Sequence, residues 1–132
     1  MDSQTNSNPA KKLQLLNRTK NSIQVASEVE LATSFVCRSV GLLGRAKLPQ
    51  GNALWIQGTK FIACNSIHTF FMRFAIDVLF VDRELKVKKV YRNLVPWRMT
   101  WPVNSAFSVF ELPAGTLQSI SVEVGDQLHV GD

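Results

Sequence analysis

Apolar and polar residues alternate along much of this chain, in short runs that turn residues separate. In residues 22–32, the apolar side chains Ile23, Val25, Val29 and Leu31 occupy odd positions, which is the period of a strand with one buried face. Runs of similar length predict further strands at residues 12–17, 53–57, 66–74, 75–82, 86–93, 107–112 and 127–130. So many short strands indicate a mainly β fold, as a single-domain β-sandwich or distorted barrel.

One short helix accompanies the predicted strands. In residues 33–45, Val36, Val40 and Leu43 recur at helical spacing and give the segment an apolar stripe. A second helix signal, the capping-box pattern of residues 27–30, overlaps the strand alternation described above. The alternation is the longer of the two patterns, so we interpret that segment as a strand.

Turn residues and a break in the pattern refine the carboxyl-terminal half. Residues 82–85 have the composition of a hairpin turn, and the prolines of residues 95–105 indicate a loop or a sheet edge. Between these segments, Val87 and Val90 lie on positions of opposite parity. A strand through both predicts a β-bulge at Lys88–Lys89, unless Val90 faces the other side of the sheet.

The composition is that of one globular domain. The chain has 132 residues, of which 45% are hydrophobic and 19% are charged, and this length can bury an apolar core. We expect a disordered polar tail over residues 1–10 and a single β domain over residues 11–132. No apolar run reaches the roughly 18 residues that span a bilayer, and the amino terminus lacks a secretory signal pattern. A cytoplasmic location is therefore the expectation.

The two cysteines carry no complete metal-binding motif. In a reducing compartment, Cys37 and Cys64 are expected to be free thiols buried as small hydrophobes, with a single disulfide between them as the alternative. Cys64 and His68 together supply half of a zinc-type spacing at best, because such sites need three or four ligands. The sequence thus predicts no metal and no cofactor.

The net charge of +5 has a definite location. Residues 83–98 carry six basic residues against the single acidic Glu84, which accounts for the whole excess. A basic patch flanked by Tyr91, Trp97 and Trp101 could meet nucleic acid or an acidic partner. A solvated strand and loop is the favoured interpretation, because no nucleic-acid-binding motif accompanies the patch.

Residues 67–82 read IHTFFMRFAIDVLFVD and place titratable groups inside an apolar run. On strands, His68 and Asp77 would both lie among large apolar neighbours, where each needs a polar partner, and an ion pair between them is one hypothesis. Histidine titrates near neutral pH and suits acid–base chemistry, so a functional polar cluster is one interpretation. The other is structural: a core histidine bonded to backbone, and an aspartate that ties off a turn or a helix amino terminus.

Several segments resemble one protein family. The matching pieces are LNRTKNSI, VELATSFVCRSVGLLGR, SIHTFFMRFAIDVLFVD, VPW, FELPAGT and the final GD. In this order they resemble the family known as domain of unknown function 192, over nearly the whole chain. The resemblance implies a compact β-sandwich with a short helix packed at one side. It also implies a polar cluster formed by Arg38, Arg45, His68, Thr69, Asp77 and Glu111, and it implies no activity.

We therefore predict a small binding domain that holds a small ligand or a protein segment at a polar cluster around His68. The predicted ligand-binding residues are Arg45, His68, Thr69, Asp77, Trp97 and Glu111, with Trp101 joining Trp97 at the rim. Whether the chain is an enzyme stays open: the alternative is a hydrolase that uses His68 with Asp77 or Glu111. No nucleophile elbow, phosphate loop or metalloprotease motif supports a particular reaction. A third candidate is nucleic-acid binding through residues 83–98.

Overall fold

The computed structural model describes residues 12–32, 47–59 and 63–132. The strands are β1 (Leu13–Asn17), β2 (Ile23–Ala32), β3 (Asn52–Gln57), β4 (Ile76–Val81), β5 (Val87–Leu94), β6 (Ser108–Pro113) and β7 (Leu128–Gly131). A 3-10 turn covers Arg18–Lys20, and the helix α1 covers Thr116–Ser119. No helix among the described residues is long and apolar enough to cross a membrane. The tail predicted over residues 1–10 and the helix predicted over residues 33–45 lie outside the described residues.

The seven strands form one sheet in the order β5-β4-β6-β3-β2-β1-β7. β2 and β3 pair in parallel, and the other neighbours pair antiparallel. The sheet curls until its two edges approach each other, and Lys86, just before β5, forms a bridge with Gln127, just before β7. At the same place the Val87 N–H donates to the Asp126 carbonyl at 2.9 Å. The mainly β prediction is therefore confirmed, in the form of a curled sheet or half-barrel.

The curled sheet has an apolar core on each face. The inner core, inside the curl, includes Leu15, Leu79, Phe110 and Leu128. The outer core, beneath two covering loops, includes Leu54, Ile56, Val78, Phe80 and Val109 from the sheet, and Ile67, Met72 and Ala106 from the loops. Every residue of β4 and of β6 is buried, because both faces of these central strands are covered. That double burial explains why IDVLFV is an almost continuous apolar run.

Most of the predicted strands agree with the structure. The strand interpretation of residues 22–32 is confirmed, and the competing helix is not formed. The predicted bulge is also present, since Phe80 pairs with Lys89 while its neighbour Val81 pairs with Val87. Lys88 is therefore the extra residue of β5, and this places Val87 in the inner core although Val90 lies on the opposite parity.

The strand predicted over residues 66–74 is wrong. The chain turns at residues 70–71, and the one β contact of this segment with the described residues is an isolated bridge between His68 and Met99. Phe71 has a φ of 66°, which lies far outside the β region. Ile67 and Met72 of this segment are buried by packing onto the outer face of the sheet instead of by joining it. The alternation of the segment therefore does not sort its residues into two strand faces.

Cys64 is disulfide-bonded and lies fully buried in the outer core. The expectation of a free thiol is wrong at this position, and the alternative of a disulfide holds. The expectation assumed a reducing compartment, and burial of the sulfur fits either oxidation state. Cys37, the other cysteine of the sequence, lies outside the described residues.

Asn17, at the end of β1, fastens the segment that leads into β7. Its buried side chain donates to the Ser121 carbonyl at 3.1 Å and to the Asp126 carboxylate at 2.8 Å. Lys20 also donates to Asp126, at 2.9 Å. Burial raises the pKa of Asp126, but the hydrogen bonds from Asn17 and Lys20 outweigh it and hold this pKa below its ordinary value. The stability that this carboxylate contributes is therefore present above the ordinary aspartate pKa and is lost in acid.

We predict that Asn17→Ala lowers the free energy of unfolding by about 1–3 kcal/mol, because it removes a buried donor from a partly buried carboxylate. Urea denaturation at neutral pH measures the change. Gln24→Ala is the matched control, since its amide donates to Gln14 at the surface. Equal losses in the two variants would contradict a role for Asn17 in closing the sheet.

Candidate functional site

Two loops cover the outer core. The first loop is residues 63–75 and the second loop is residues 95–107. Neither loop contains an acidic residue, while Arg73 and Arg98 are both exposed. The loops therefore present a cationic surface to solvent while burying apolar side chains beneath them.

Thr69 of the first loop joins the two loops. Its hydroxyl donates to the Val95 carbonyl at 2.7 Å and accepts from the Arg98 N–H at 2.9 Å. Its backbone adds two bonds, since the Thr69 N–H donates to the Arg98 carbonyl at 2.8 Å and the Trp97 N–H donates to the Thr69 carbonyl at 2.9 Å. Thr69 is fully buried, so these bonds replace water for polar groups of both loops.

Thr100 of the second loop bonds in the same way to the backbone of the first loop. Its hydroxyl accepts from the Ile67 N–H at 2.9 Å and donates to the Ile67 carbonyl at 3.3 Å. Its own N–H donates to the same carbonyl at 3.0 Å. Because each threonine satisfies backbone groups of the opposite loop, the two loops form one fixed platform.

Four large apolar side chains of this platform expose more than half of their surface to solvent. The exposed fractions are 69% for Phe71, 56% for Trp97, 66% for Met99 and 85% for Trp101. We call these four side chains the aromatic loop face. Phe71 and Trp97 come from different loops, yet their ring centroids are 4.6 Å apart. Exposed apolar side chains that gather in this way mark surfaces of interaction.

The backbone beneath two of these rings is strained. Phe71 and Trp97 both have a φ of 66°, in the left-handed region that bulky residues rarely adopt. Each such residue costs about 1–3 kcal/mol and persists only where its surroundings hold it in place. The bonds made by Thr69 to Arg98 and Trp97 provide such surroundings.

His68 lies half-buried beside the aromatic loop face. Its Nδ1 accepts the Phe70 N–H at 3.2 Å, so a neutral ring carries its proton on Nε2. The imidazole stacks on Phe70 with centroids 4.9 Å apart, and Phe70 lies 6.0 Å from the ring of Trp97. A cavity of about 230 Å³ opens at this point, lined by Ser66, Ile67, His68, Met99, Thr100, Trp101 and Pro102.

Asp77 and Glu111 point to opposite faces of the sheet. In the pairing of β4 with β6, Asp77 pairs with Leu112 of the inner core, and Val78 of the outer core pairs with Glu111. Paired residues of neighbouring strands share a face, and consecutive residues alternate between faces. Glu111 therefore lies on the side that the two loops cover, and Asp77 lies on the other side.

Both carboxylate oxygens of Asp77 are engaged by backbone donors. Oδ1 accepts the Asn93 N–H at 2.8 Å, beside an irregularity in the register of β5, and Oδ2 accepts the Leu117 N–H at 2.8 Å. Gly115 precedes α1 without a capping side chain, so Asp77 caps this helix from another strand. His68 and Asp77 both lie in the described segment 63–132, and they do not form the hypothesised ion pair. Both carboxyl oxygens of Asp77 accept backbone N–H groups instead.

We predict that Asp77→Ala lowers the free energy of unfolding by about 3 kcal/mol, because two backbone donors, one buried and one partly buried, lose their acceptor. Asp77→Asn keeps one acceptor oxygen and the same shape, and it is expected to lose roughly half as much. Chemical denaturation measures both changes. An alanine variant as stable as the wild type would contradict the structural role of Asp77.

Glu111 lies in the middle of β6 with its carboxyl group in the outer core. The side chain is fully buried, and neither carboxyl oxygen has a hydrogen-bond partner among the residues that the structure describes. Its cross-strand neighbours on the same face are Leu54 and Val78, both apolar. Burial raises the pKa of Glu111 to about 8. The group is therefore protonated at neutral pH, because a neutral acid is far less unfavourable in apolar surroundings than a carboxylate.

This raised pKa makes the stability of the fold depend on pH. Between the ordinary pKa of 4.5 and about 8, the folded state holds a proton that the unfolded state has lost. The stability associated with this proton is complete below pH 4.5 and falls as the pH rises towards 8.

We predict that Glu111→Met removes this fall, since methionine is apolar and does not titrate. The wild type is expected to lose on the order of 1 kcal/mol of stability per pH unit between about pH 5 and pH 8, and the variant to lose much less. Urea midpoints across this interval measure the slope. Glu84→Met is the control, because Glu84 is exposed and its loss is expected to leave the slope unchanged. A wild-type slope in Glu111→Met would contradict the assignment.

The structure brings together half of the predicted ligand-binding residues. His68, Thr69 and Trp97 lie in the two joined loops. The others are spread: Glu111 beneath the loops, Asp77 on the opposite face, and Arg45 outside the described residues. Within residues 12–32, 47–59 and 63–132, no three or more His, Cys, Asp and Glu side chains converge to form a metal site.

Sequence reasoning missed Phe71, Met99 and Thr100. The strand predicted over residues 66–74 includes Phe71, although this residue is exposed in a turn. Thr100 carries no local signal, because its role depends on a contact with Ile67, far away in sequence. Met99 was recoverable, since it lies between two tryptophans in a loop whose prolines already exclude a central strand.

The sequence matches that of an established family over most of its length. Residues 16–130 match the profile of domain of unknown function 192, described as an uncharacterised ACR family. The UPF0127 protein of Pyrococcus horikoshii is 36% identical over 114 residues, covering 86% of this chain and 96% of the relative. That of Pyrococcus abyssi is 38% identical over 118 residues, covering 87% of this chain and 95% of the relative. The chain therefore belongs to this family.

Two solved structures share the fold. A candidate transcription regulator from Sinorhizobium meliloti has a TM-score of 0.67 and 19% identity, covering 90% of this chain and 92% of that one. A protein of unknown function from Novosphingobium aromaticivorans has a TM-score of 0.69 and 17% identity, covering 89% of this chain and 83% of that one. At this level of identity the likeness establishes the fold alone.

Proposed function

We propose that this member of the domain of unknown function 192 family is a binding module, whose contact surface is the aromatic loop face with the cavity beside His68. The observation that carries the proposal is the exposure of four large apolar side chains on a platform of fixed backbone. Tryptophan is enriched at the energetically dominant positions of interfaces, because one ring buries much area with few rotatable bonds.

The size of the cavity limits what enters it. A volume of about 230 Å³ is smaller than the range of about 300–1,000 Å³ that drug-sized ligands fill. The occupant is therefore one ring or one side chain of a larger partner, whose remainder lies on the exposed rings. Ile67, Met99 and Trp101 favour an apolar group in the cavity, with the half-buried His68 as a polar contact at its wall.

A hydrolase built on His68 receives less support. The carboxylate of Asp77 is engaged by two backbone N–H groups on the other face of the sheet. Glu111 is enclosed in the outer core, where substrate does not reach it. Neither acid is therefore placed to orient an imidazole that acts as general base.

Nucleic-acid binding through residues 83–98 also receives less support. Several of these cations already have partners: Arg83 lies over the ring of Phe107 at 4.0 Å, Lys88 lies 3.6 Å from Asp82, and Arg92 donates to the Val122 carbonyl at 3.3 Å. A surface that binds nucleic acid keeps its basic side chains available for contact with the phosphates.

The cytoplasmic location expected from the sequence stays a prediction. The disulfide at Cys64 counts against it, because disulfides persist mainly in oxidising compartments.

We predict that the full chain binds 1-anilinonaphthalene-8-sulfonate, an aromatic anion that matches an apolar cavity with cations nearby. Trp101→Ala is expected to weaken this binding about tenfold, because the ring borders the cavity and is the most exposed of the four side chains. Fluorescence titration of the probe measures the affinity.

Val124→Ala is the matched control for this experiment. Val124 is 61% exposed but lies in the turn before β7, outside both loops. Its loss is expected to leave the affinity unchanged, and urea midpoints establish that both variants are folded. No binding to the native chain, or equal affinities in the two variants, would refute the proposal.

A further inference from the structure

We propose that the aromatic loop face docks on an anionic membrane surface. Its rings then lie among the lipid headgroups, and Arg73 and Arg98 of the same two loops lie against the lipid phosphates. This inference rests on the proposed function, since it names the partner of the same surface. Three features of the two loops support it: the shape of the face, its charge, and the rigidity of its backbone.

The shape of the face suits a soft partner. Phe71 lies in the turn of residues 70–71 and Trp97 in the bend of residues 96–97, so both rings stand at loop tips. Trp101 is exposed over 85% of its surface. Exposed rings at loop tips can enter the headgroup region of a bilayer, where the amphipathic indole is favoured. A bilayer surface also accommodates the touching rings of Phe71 and Trp97 without a pocket shaped to fit them.

The charge of the face suits an anionic partner. Arg98 follows Trp97 directly, and Arg73 lies two residues after Phe71, so exposed cations alternate with exposed rings. Neither loop has a carboxylate that anionic lipid would repel. An arginine can lay its alkyl stem along apolar surface while its guanidinium meets lipid phosphate.

The backbone of the face is fixed before any contact is made. Thr69 and Thr100 bond the two loops to each other, and the ring of Phe71 rests against that of Trp97. Docking therefore loses little conformational entropy, and a small number of rings and cations can suffice for reversible attachment.

The test uses the full chain with two kinds of vesicle. One is phosphatidylcholine with about 30% phosphatidylserine, and the other is phosphatidylcholine alone. Co-sedimentation measures partition, and a blue shift of tryptophan emission reports entry of a ring into the headgroup region. Partition to the mixed vesicles is expected to be at least about fivefold stronger than to phosphatidylcholine, and to weaken as salt is added.

Substitutions locate the contact. Trp101→Ala is expected to weaken partition about tenfold, and Arg98→Gln about fivefold. The matched controls are Val124→Ala, an exposed apolar residue outside the loops, and Lys89→Gln, an exposed cation on β5. Both are expected to stay within about twofold of the wild type. Urea midpoints confirm that each variant is folded.

Other outcomes would overturn the inference. Absence of partition to the mixed vesicles would do so, and retained binding of the anilinonaphthalene probe would then leave the proposed function standing. Partition that is lost in Lys89→Gln and kept in Arg98→Gln would move the contact to β5. Binding of an acidic amphipathic peptide, but of no vesicle, would identify a protein partner instead. Failure of both vesicles and probe would remove the inference and the proposed function together.

Discussion

The burial of both faces of β4 and β6 is the constraint on which the rest of the structure depends. The inner face is covered when the sheet curls on itself, but a curled sheet leaves its outer face bare. The two loops cover that face with Ile67, Met72 and Ala106. A loop has no ladder of backbone hydrogen bonds like that of a sheet. When the loop is buried, its backbone N–H and carbonyl groups therefore need other partners. Thr69 and Thr100 supply them, and the outside of the loops is thereby fixed in one shape.

Three polar groups inside these apolar surroundings avoid the penalty of burial in three ways. The carboxyl group of Asp77 accepts hydrogen bonds from two backbone donors, one in β5 and one in α1. The hydroxyl of Thr69 is neutral and both donates and accepts. Glu111 has no such partner among the described residues and holds its proton, at the expense of stability in alkali. An acid in this state is a common feature of functional sites, yet here it is sealed under the platform.

The local pattern of apolar residues was sufficient to identify the strands whose burial follows from their own sequence. The alternation in residues 22–32 and the continuous apolar run in β4 identified their strands, and the parity break at Val87 and Val90 identified a bulge. The pattern failed at residues 66–74, where apolar side chains are buried by a loop that packs onto a sheet. The pairing of loops through threonine hydroxyls has no sequence period at all. The aspartate at position 77 was foreseen as a tie to a turn or helix, but its second partner, Asn93, depends on the register of β5.

The exposed rings do not contribute to the fold in proportion to their size. The first loop is held by burial of Ile67 and Met72, each worth about 1.5–3 kcal/mol, and by its bonds to the second loop. That stabilisation is enough to offset the strain of about 1–3 kcal/mol at Phe71. The side chain at this position, however, points away from the core and recovers little of the strain through its own burial. The same holds for Trp97. The apolar surface of both rings leaves water, and so contributes free energy, only when another surface covers the loops. Each loop is thus buried at its base and exposed at its tip. This difference is the reason to look for the partner of this protein at the loop tips.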